Sequence, residues 1–221
     1  MPRVMNPILL AVCLASAPAA AQTQDHAPQA LASAQELEHD KKESWTYIKP
    51  DLHLARYTAV QIQPTVVYRG TDAQFEDIPQ EDRARFAQLM TDALRQELAK
   101  SFRLAQGPAA NALRLRMTLV GAKKTTGGVG TVSSVMPLGL VTNVVKSATG
   151  KKGTFSGSVL FAIEIFDSRS GDLLAAVVRR EAPDALDIKA TVSTTDTVKA
   201  IADNIAKKLR QRLVEAKTQN P

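Results

Sequence analysis

The segment Leu113–Leu119 constrains the fold most, because its apolar and polar residues alternate without exception. Successive side chains of a β-strand point to opposite faces, so the four apolar side chains share one face while Arg114, Arg116 and Thr118 share the other. A helix would scatter the same residues around its axis. The chain is therefore predicted to build a sheet whose apolar face is covered and whose other face meets solvent or a partner.

Two amphipathic segments are predicted to cover the apolar face. Between Phe86 and Leu98 apolar residues recur at three- and four-residue steps, within a helix predicted from about Pro79 to Ser101. A second helix is predicted from Thr195 to about Glu215, with apolar residues from Val198 to Leu213 along one side.

A hairpin and an earlier strand complete the predicted sheet. Strands are predicted at 155–166 and 173–179, and the residues between them have the composition of a turn, with Gly171 free to adopt a positive φ. An earlier strand is predicted from Tyr57 to Gln63. The predicted fold class is α+β, with an antiparallel-rich sheet and two helices on one face.

Residues 1–21 have the pattern of a secretory signal peptide. One basic residue, Arg3, precedes an apolar run from Ile8 to Ala15 that is shorter than the roughly 20 residues of a membrane span. Small side chains at the end of the segment predict cleavage between Ala21 and Gln22. The protein is therefore predicted to be exported to the periplasm, either free or associated with a membrane.

Cys13 is the only cysteine, and it offers an alternative processing site. The residues before it resemble a lipid-attachment motif, but Val12 stands where such motifs carry Gly, Ala or Ser. Cleavage after Ala21 is therefore favoured over lipidation of Cys13. The mature chain then has no thiol, which an exported domain of this length tolerates because its core is large enough.

The mature chain divides by composition into a linker and a domain. Residues 22–44 contain no aromatic residue and only one β-branched residue, Thr23, so they are predicted to form a flexible linker. Residues 45–221 are predicted to form a single domain with a long glycine-rich insertion at about 121–153.

The sequence offers few residues for catalysis. His53 is the only histidine outside the linker, so no Cys/His metal site or cysteine nucleophile can be assembled. The motifs Gly-x-Ser-x-Gly and Ser-x-x-Lys are absent, and the glycines do not match phosphate-binding spacings. Glu164 and Asp167 are three apart on a predicted strand and project to opposite faces. We therefore expect a non-enzymatic protein without cofactor or metal.

The distribution of charge points to a binding surface. The formal net charge is +6, and no acidic residue lies between Glu97 and Glu164. Such a run of one sign favours contact with anionic surfaces. The surface is predicted to consist of Arg114, Arg116, Lys123, Lys124, Lys146, Lys151 and Lys152. The expected partner is an envelope protein, an anionic envelope polymer or a lipid surface, and not nucleic acid, because no aromatic residue is interleaved with these cations.

An uncharged stretch within the insertion supports an alternative. Residues 125–145 are rich in Val and Leu, and the two arms around Met136–Gly139 approach the roughly 9 to 11 residues that a membrane strand needs. They form either a loop that folds back on the domain or a hairpin that enters a membrane or another subunit. The second reading would make the protein an oligomeric, membrane-associated or pore-type component.

Several segments resemble a bacterial envelope family, the domain of unknown function 3313. The resemblance rests on Trp45–Leu52, on Val60-x-Ile62-x-Pro64, on Gly153–Gly157 and on the segment that begins at Glu164 and continues Asp-Ser-x-Ser-Gly. It implies an exported, lipoprotein-like envelope protein and supplies no catalytic residue. The sequence thus predicts an exported interaction or structural module with a basic surface, and a glycan hydrolase with paired carboxylates is a less favoured alternative.

Overall fold

The computed structural model describes residues 27–40, 44–75, 78–123, 158–181 and 194–219. Within these ranges the chain forms eight strands and two helices, numbered here in chain order as β1 (Glu38–His39), β2 (Trp45–Ile48), β3 (Ala59–Ile62), β4 (Val66–Val67), α1 (Gln80–Leu98), β5 (Arg103–Leu104), β6 (Ala112–Lys123), β7 (Ser158–Asp167), β8 (Leu173–Glu181) and α2 (Thr194–Gln219).

The strands form one mixed sheet with the order β1-β2-β8-β7-β6-β3-β5, and β4 pairs with β6 beyond the end of β3. The pairings from β1 to β6 along this order are antiparallel, whereas β3, β4 and β5 pair in parallel with their neighbours. The parallel pairing of β3 with β6 follows from the crossover through α1 that separates them in the chain. The predicted α+β class is confirmed, and the sheet is mixed rather than purely antiparallel.

The turn between β7 and β8 has the chemistry that its sequence predicts. The carboxylate of Asp167 accepts hydrogen bonds from the backbone N–H groups of Arg169 and Ser170, at 2.9 and 3.0 Å. Gly171 has a φ of 81°, where any other residue would be strained. The predicted hairpin is therefore confirmed, although 155–157, the start of its first predicted strand, lie outside the described residues.

The two helices pack against each other and cover one face of the sheet. The first turn of α1 carries Glu81 and Asp82, whose charges stabilise the positive end of the helix dipole. The apolar residues of the alternating segment enter this core together with every second residue of β7. The largest fully buried side chains that complete it are Tyr57, Phe86, Met90, Leu94, Leu98 and Ile201. Full burial of each such side chain contributes about 1.5–3 kcal/mol.

The opposite face of the sheet is partly covered by residues 27–37, which we call the strap. Its side chains Ala27, Leu31 and Leu37 are buried and join a second apolar cluster with Leu160, Ala162, Ala176 and Val178 of the sheet. The sequence predicts a flexible linker over residues 22–44, and the structure shows the strap within that range packed on the sheet. Three apolar side chains are enough here because the sheet supplies the rest of the cluster.

The predicted insertion begins later than expected. β6 continues to Lys123, so residues 121–123 belong to the sheet and pair with β7 around a register shift. Gly121 permits this irregularity, because a Cβ there would lie 2.5 Å from the carbonyl oxygen of Gln74.

Several predictions concern parts of the chain outside the described residues. They include the signal peptide (residues 1–21), Cys13, the cleavage site between Ala21 and Gln22, and the 125–145 segment. No helix among the described residues is long and apolar enough to cross a membrane.

Candidate functional site

The strap is fixed to the rest of the domain by three of its backbone N–H groups. The N–H of Gln29 donates to the Asp72 carboxylate at 3.2 Å, and the N–H of Ala30 donates to the Tyr68 hydroxyl at 3.0 Å. The N–H of Ser33 donates to Glu164 Oε1 at 2.8 Å. Each bond uses a side chain of the domain and the main chain of the strap, so the strap's path does not depend on its own polar side chains.

Glu164 is the buried charge of this face. Its side chain is 1% exposed, and Arg116 Nη1 on the neighbouring strand lies 3.7 Å from its Oε2. This separation makes an ion pair but is too long for a hydrogen bond. Within the described part of the chain, neither Glu164 Oε2 nor Ser33 Oγ has a hydrogen-bond partner. A cation beside a buried carboxylate offsets part of the cost of its burial, and Arg116 is placed to do this for Glu164.

Arg114 and Arg116, the arginine pair, lie on the same face of β6 and share one aromatic ring. Their guanidinium carbons are 4.7 and 5.3 Å from the centroid of Phe166. Arg116 also donates a long hydrogen bond to Gln63, at 3.4 Å. Arg114 makes no ion pair or hydrogen bond with any described residue, and its Nε is buried. One ring therefore contacts two cations, of which only Arg116 makes an ion pair with a described carboxylate.

A cleft of about 570 Å³ opens between the strap and the segment that follows β3. Ala30, Leu31 and Ala32 of the strap form one wall, residues 66–70 form the other, and Arg116, Thr118 and Glu164 lie at the floor. Gly70 permits this shape, because a Cβ there would lie 2.4 Å from the Tyr68 ring. The arrangement is an apolar groove with charged groups at its base.

A second polar cluster lies at the other side of the sheet, near the hairpin turn. The Tyr57 hydroxyl donates to Asp167 Oδ2 at 2.8 Å and accepts a hydrogen bond from Arg56 at 2.7 Å. Hydrogen bonds from the Ser170 N–H, the Tyr57 hydroxyl and the Arg169 N–H hold the pKa of Asp167 below its ordinary value. Burial raises the pKa of Tyr57. Asp167 contacts Tyr57 of the helix-side core, whereas Glu164 contacts the strap, so the two carboxylates lie on opposite faces as predicted.

The structure brings together only part of the predicted binding surface. Arg114 and Arg116 are neighbours, and Lys123 is exposed at the far end of the same strand. The other predicted members, Lys124, Lys146, Lys151 and Lys152, lie outside the described residues. Sequence reasoning missed the strap and its bond to Glu164, although a lone acid within the apolar run of β7 was a signal that this position meets a polar partner.

Among the described residues no group of three or more His, Cys, Asp or Glu side chains could hold a metal ion. His53, considered above as a candidate, is exposed. The fold and the cleft thus describe a small α+β domain in which a groove with Arg116 and Glu164 at its floor lies between the strap and residues 66–70.

A family model with the description "Protein of unknown function (DUF3313)" matches residues 27–209. The chain therefore belongs to this family, as the sequence motifs suggested. The match begins at the first residue of the strap, so the strap belongs to the family domain. Comparison with curated proteins finds no match.

Solved structures with a similar arrangement share little sequence with this chain. The PelC dodecamer from Paraburkholderia phytofirmans aligns with a TM-score of 0.39 and 12% identity, over 76% of this chain and 96% of that chain. Protein XCC0632 from Xanthomonas campestris aligns with a TM-score of 0.42 and 8% identity, over 78% and 91%. The hypothetical protein CT253 from Chlamydia trachomatis aligns with a TM-score of 0.42 and 10% identity, over 74% and 99%.

Proposed function

We propose that this protein is an exported, envelope-associated interaction module that binds an anionic partner through a basic surface and catalyses no reaction. Membership of the DUF3313 family and the signal-peptide pattern of residues 1–21 support the envelope location. The stretch between Glu97 and Glu164 contains basic residues and no acidic one, which supports a negatively charged partner.

The observation that carries the proposal is that Arg114 has no carboxylate partner among the described residues. A guanidinium is charged at any physiological pH, and it is normally neutralised by a carboxylate when partly buried. Arg114 has no such carboxylate among the described residues, and it lies beside Arg116, whose only ion pair there is with Glu164. The two cations and one anion leave a net positive charge that an oxyanion would neutralise.

Binding to isolated envelope fractions at low salt tests the proposal. In one variant, four cations of the predicted surface, Arg114, Lys123, Lys124 and Lys151, are replaced by Gln. In the matched control, four exposed cations of the helices, Arg85, Arg95, Lys207 and Arg212, are replaced by Gln. Both variants lose the same net charge, so only the position of the charge differs between them.

We expect the surface variant to sediment with envelope fractions less than the control, and the difference to shrink as salt is added, because salt screens exposed charges. Equal sedimentation of wild type, surface variant and control would contradict the proposal. Release of a product from purified envelope material, abolished by Glu164→Gln, would contradict the non-enzymatic part.

A further inference from the structure

We propose that the cleft binds an anionic lipid, whose phosphate or carboxylate head contacts the arginine pair and whose alkyl chain lies between the strap and residues 66–70. This inference rests on the proposed function, since it names the chemical class of the anionic partner. It requires that the anion carries an apolar chain, whereas a purely electrostatic surface would bind the anion without one.

The head-group site is the arginine pair, of which Arg116 lies at the floor of the cleft and Arg114 lies two residues away on the same face of β6. Stacking on Phe166 places both guanidinium groups over one ring, and a guanidinium offers the planar set of donors that phosphate and carboxylate oxygens accept. Arg116 is 34% exposed and its contact with Glu164 is longer than a hydrogen bond, so it retains donors for an incoming anion. Arg114 makes no ion pair with a described residue, and its buried Nε has no hydrogen-bond partner within the described ranges.

Glu164 positions Arg116, and its negative charge does not keep the head group away from Arg114. Its side chain is buried under the strap, and Oε1 is already bonded to the Ser33 N–H. Asp72, two residues beyond the wall formed by residues 66–70, accepts hydrogen bonds from the Gln29 N–H with one oxygen and from the Tyr68 hydroxyl with the other. Both carboxylates are thus tied to the strap, whereas Arg114 is not.

The site for the lipid's alkyl chain follows from the residues that form the walls of the cleft. Ala30, Leu31 and Ala32 face Val66 and Val67 across a space whose volume lies in the range of pockets for ligands of drug size. Val66 is 52% exposed, so an alkyl chain that covers it would remove apolar surface from water. Each methylene of an alkyl chain that leaves water here would strengthen binding about fourfold. A free anion would use the floor of the cleft and leave these walls wet.

Isothermal titration calorimetry on the mature chain tests the proposal with three probes kept below micelle-forming concentrations. Dodecyl phosphate carries both features, ethyl phosphate carries only the head, and dodecyltrimethylammonium carries the same chain with the opposite charge. We expect dodecyl phosphate to bind at least about tenfold tighter than either of the others, as a few buried methylenes and one charge-assisted contact would give.

Two variants separate the head from the chain. Arg114→Gln should weaken dodecyl phosphate by about tenfold or more, the effect of losing hydrogen bonds to a charged group, while Arg103→Gln, at an exposed arginine on β5, should not. Val66→Asn should weaken dodecyl phosphate and leave ethyl phosphate unchanged. Ile48→Asn, at another strongly exposed apolar residue, should change neither.

Equal affinities for ethyl phosphate and dodecyl phosphate would overturn the inference and leave a site for a free anion only. Equal affinities for dodecyl phosphate and dodecyltrimethylammonium would also overturn it, because they would show that the arginine pair does not recognise the head group. Absence of binding by all three probes would also overturn it. If envelope sedimentation still depended on the surface cations, the proposed function would survive each of these failures.

Discussion

Replacing Leu31 by Ala tests whether the strap is part of the folded domain. Leu31 is 8% exposed and packs in the second apolar cluster, on the face of the sheet opposite the helices. Truncation of a buried leucine to alanine lowers the free energy of unfolding by about 2–5 kcal/mol. Because Leu31 also lines the cleft, solvent can enter the space that it leaves, and we expect a loss of about 2 kcal/mol, near the lower end of that range.

The assay is guanidinium chloride denaturation of the mature chain, followed by far-ultraviolet circular dichroism. The midpoint should fall while the slope of the transition stays unchanged, which is the signature of lost stability without a change in the surface exposed. Ile48→Ala is the matched control, because Ile48 is 71% exposed on β2 and its truncation should change stability by no more than about 0.5 kcal/mol.

Equal midpoints for Leu31→Ala and Ile48→Ala would refute the packing of the strap. Residues 27–37 would then behave as the flexible linker that their composition predicts. A fall in both midpoint and slope would mean instead that the strap leaves the sheet before the domain unfolds, and that its contacts are weaker than the buried surface implies.

Three further predictions concern the Arg116–Glu164 ion pair, the Asp167 carboxylate and the 125–145 segment. Arg116→Met should lower the free energy of unfolding by about 3 kcal/mol, because it leaves Glu164, 1% exposed, without its cation. Adding Glu164→Leu to this variant should recover at least half of the decrease in the urea midpoint, and no recovery would show that the two side chains are not coupled. Asp167→Asn should lower stability at neutral pH, because the pKa of Asp167 is held below its ordinary value of 3.8. The contribution of this carboxylate is present above that value and is lost as the pH falls through the lowered pKa, so the thermal midpoints of variant and wild type should converge in acid, and parallel curves would contradict the assignment. Deleting residues 125–145 tests the alternative of an assembling hairpin by sedimentation velocity: loss of an oligomer would support it, and a monomeric wild type that does not sediment with membranes would count against it.

The elements that local pattern controls could be predicted from the sequence. The alternation of Leu113–Leu119, the helical spacing from Phe86 to Leu98 and the Asp167–Gly171 turn each contain the physical cause of their own structure within a few residues. The helix α2 extends from Thr194 to Gln219, somewhat beyond the predicted 195–215, because helix ends depend weakly on sequence.

The strap and the cleft could not be predicted, because their causes lie far apart in the chain. The hydrogen bond from Ser33 to Glu164 joins residues separated by 131 positions, and no local pattern connects them. The strap has too few apolar residues to fold alone, so its composition resembles that of a linker. Its order depends on the apolar surface that β7 and β8 present, which exists only once the sheet has formed.

That Arg114 and Arg116 share a face could be predicted from the sequence, since period-two alternation requires it. The sequence could not show that Phe166 would lie under both or that Glu164 would face only one of them. Cross-strand register decides both points, pairing Arg114 with Phe166 and Arg116 with Glu164.

The salt dependence of envelope binding tests most directly whether this domain recognises an anionic partner. The fraction of mature wild-type protein that sediments with isolated envelope fractions is measured as sodium chloride is raised from about 10 mM to 150 mM, over which the Debye length falls from about 30 Å to about 8 Å. Binding is expected to fall steeply across this range, and more steeply for wild type than for the variant that lacks Arg114, Lys123, Lys124 and Lys151. Binding that is the same at both ends of the range, or absent at the lowest salt, would contradict the account.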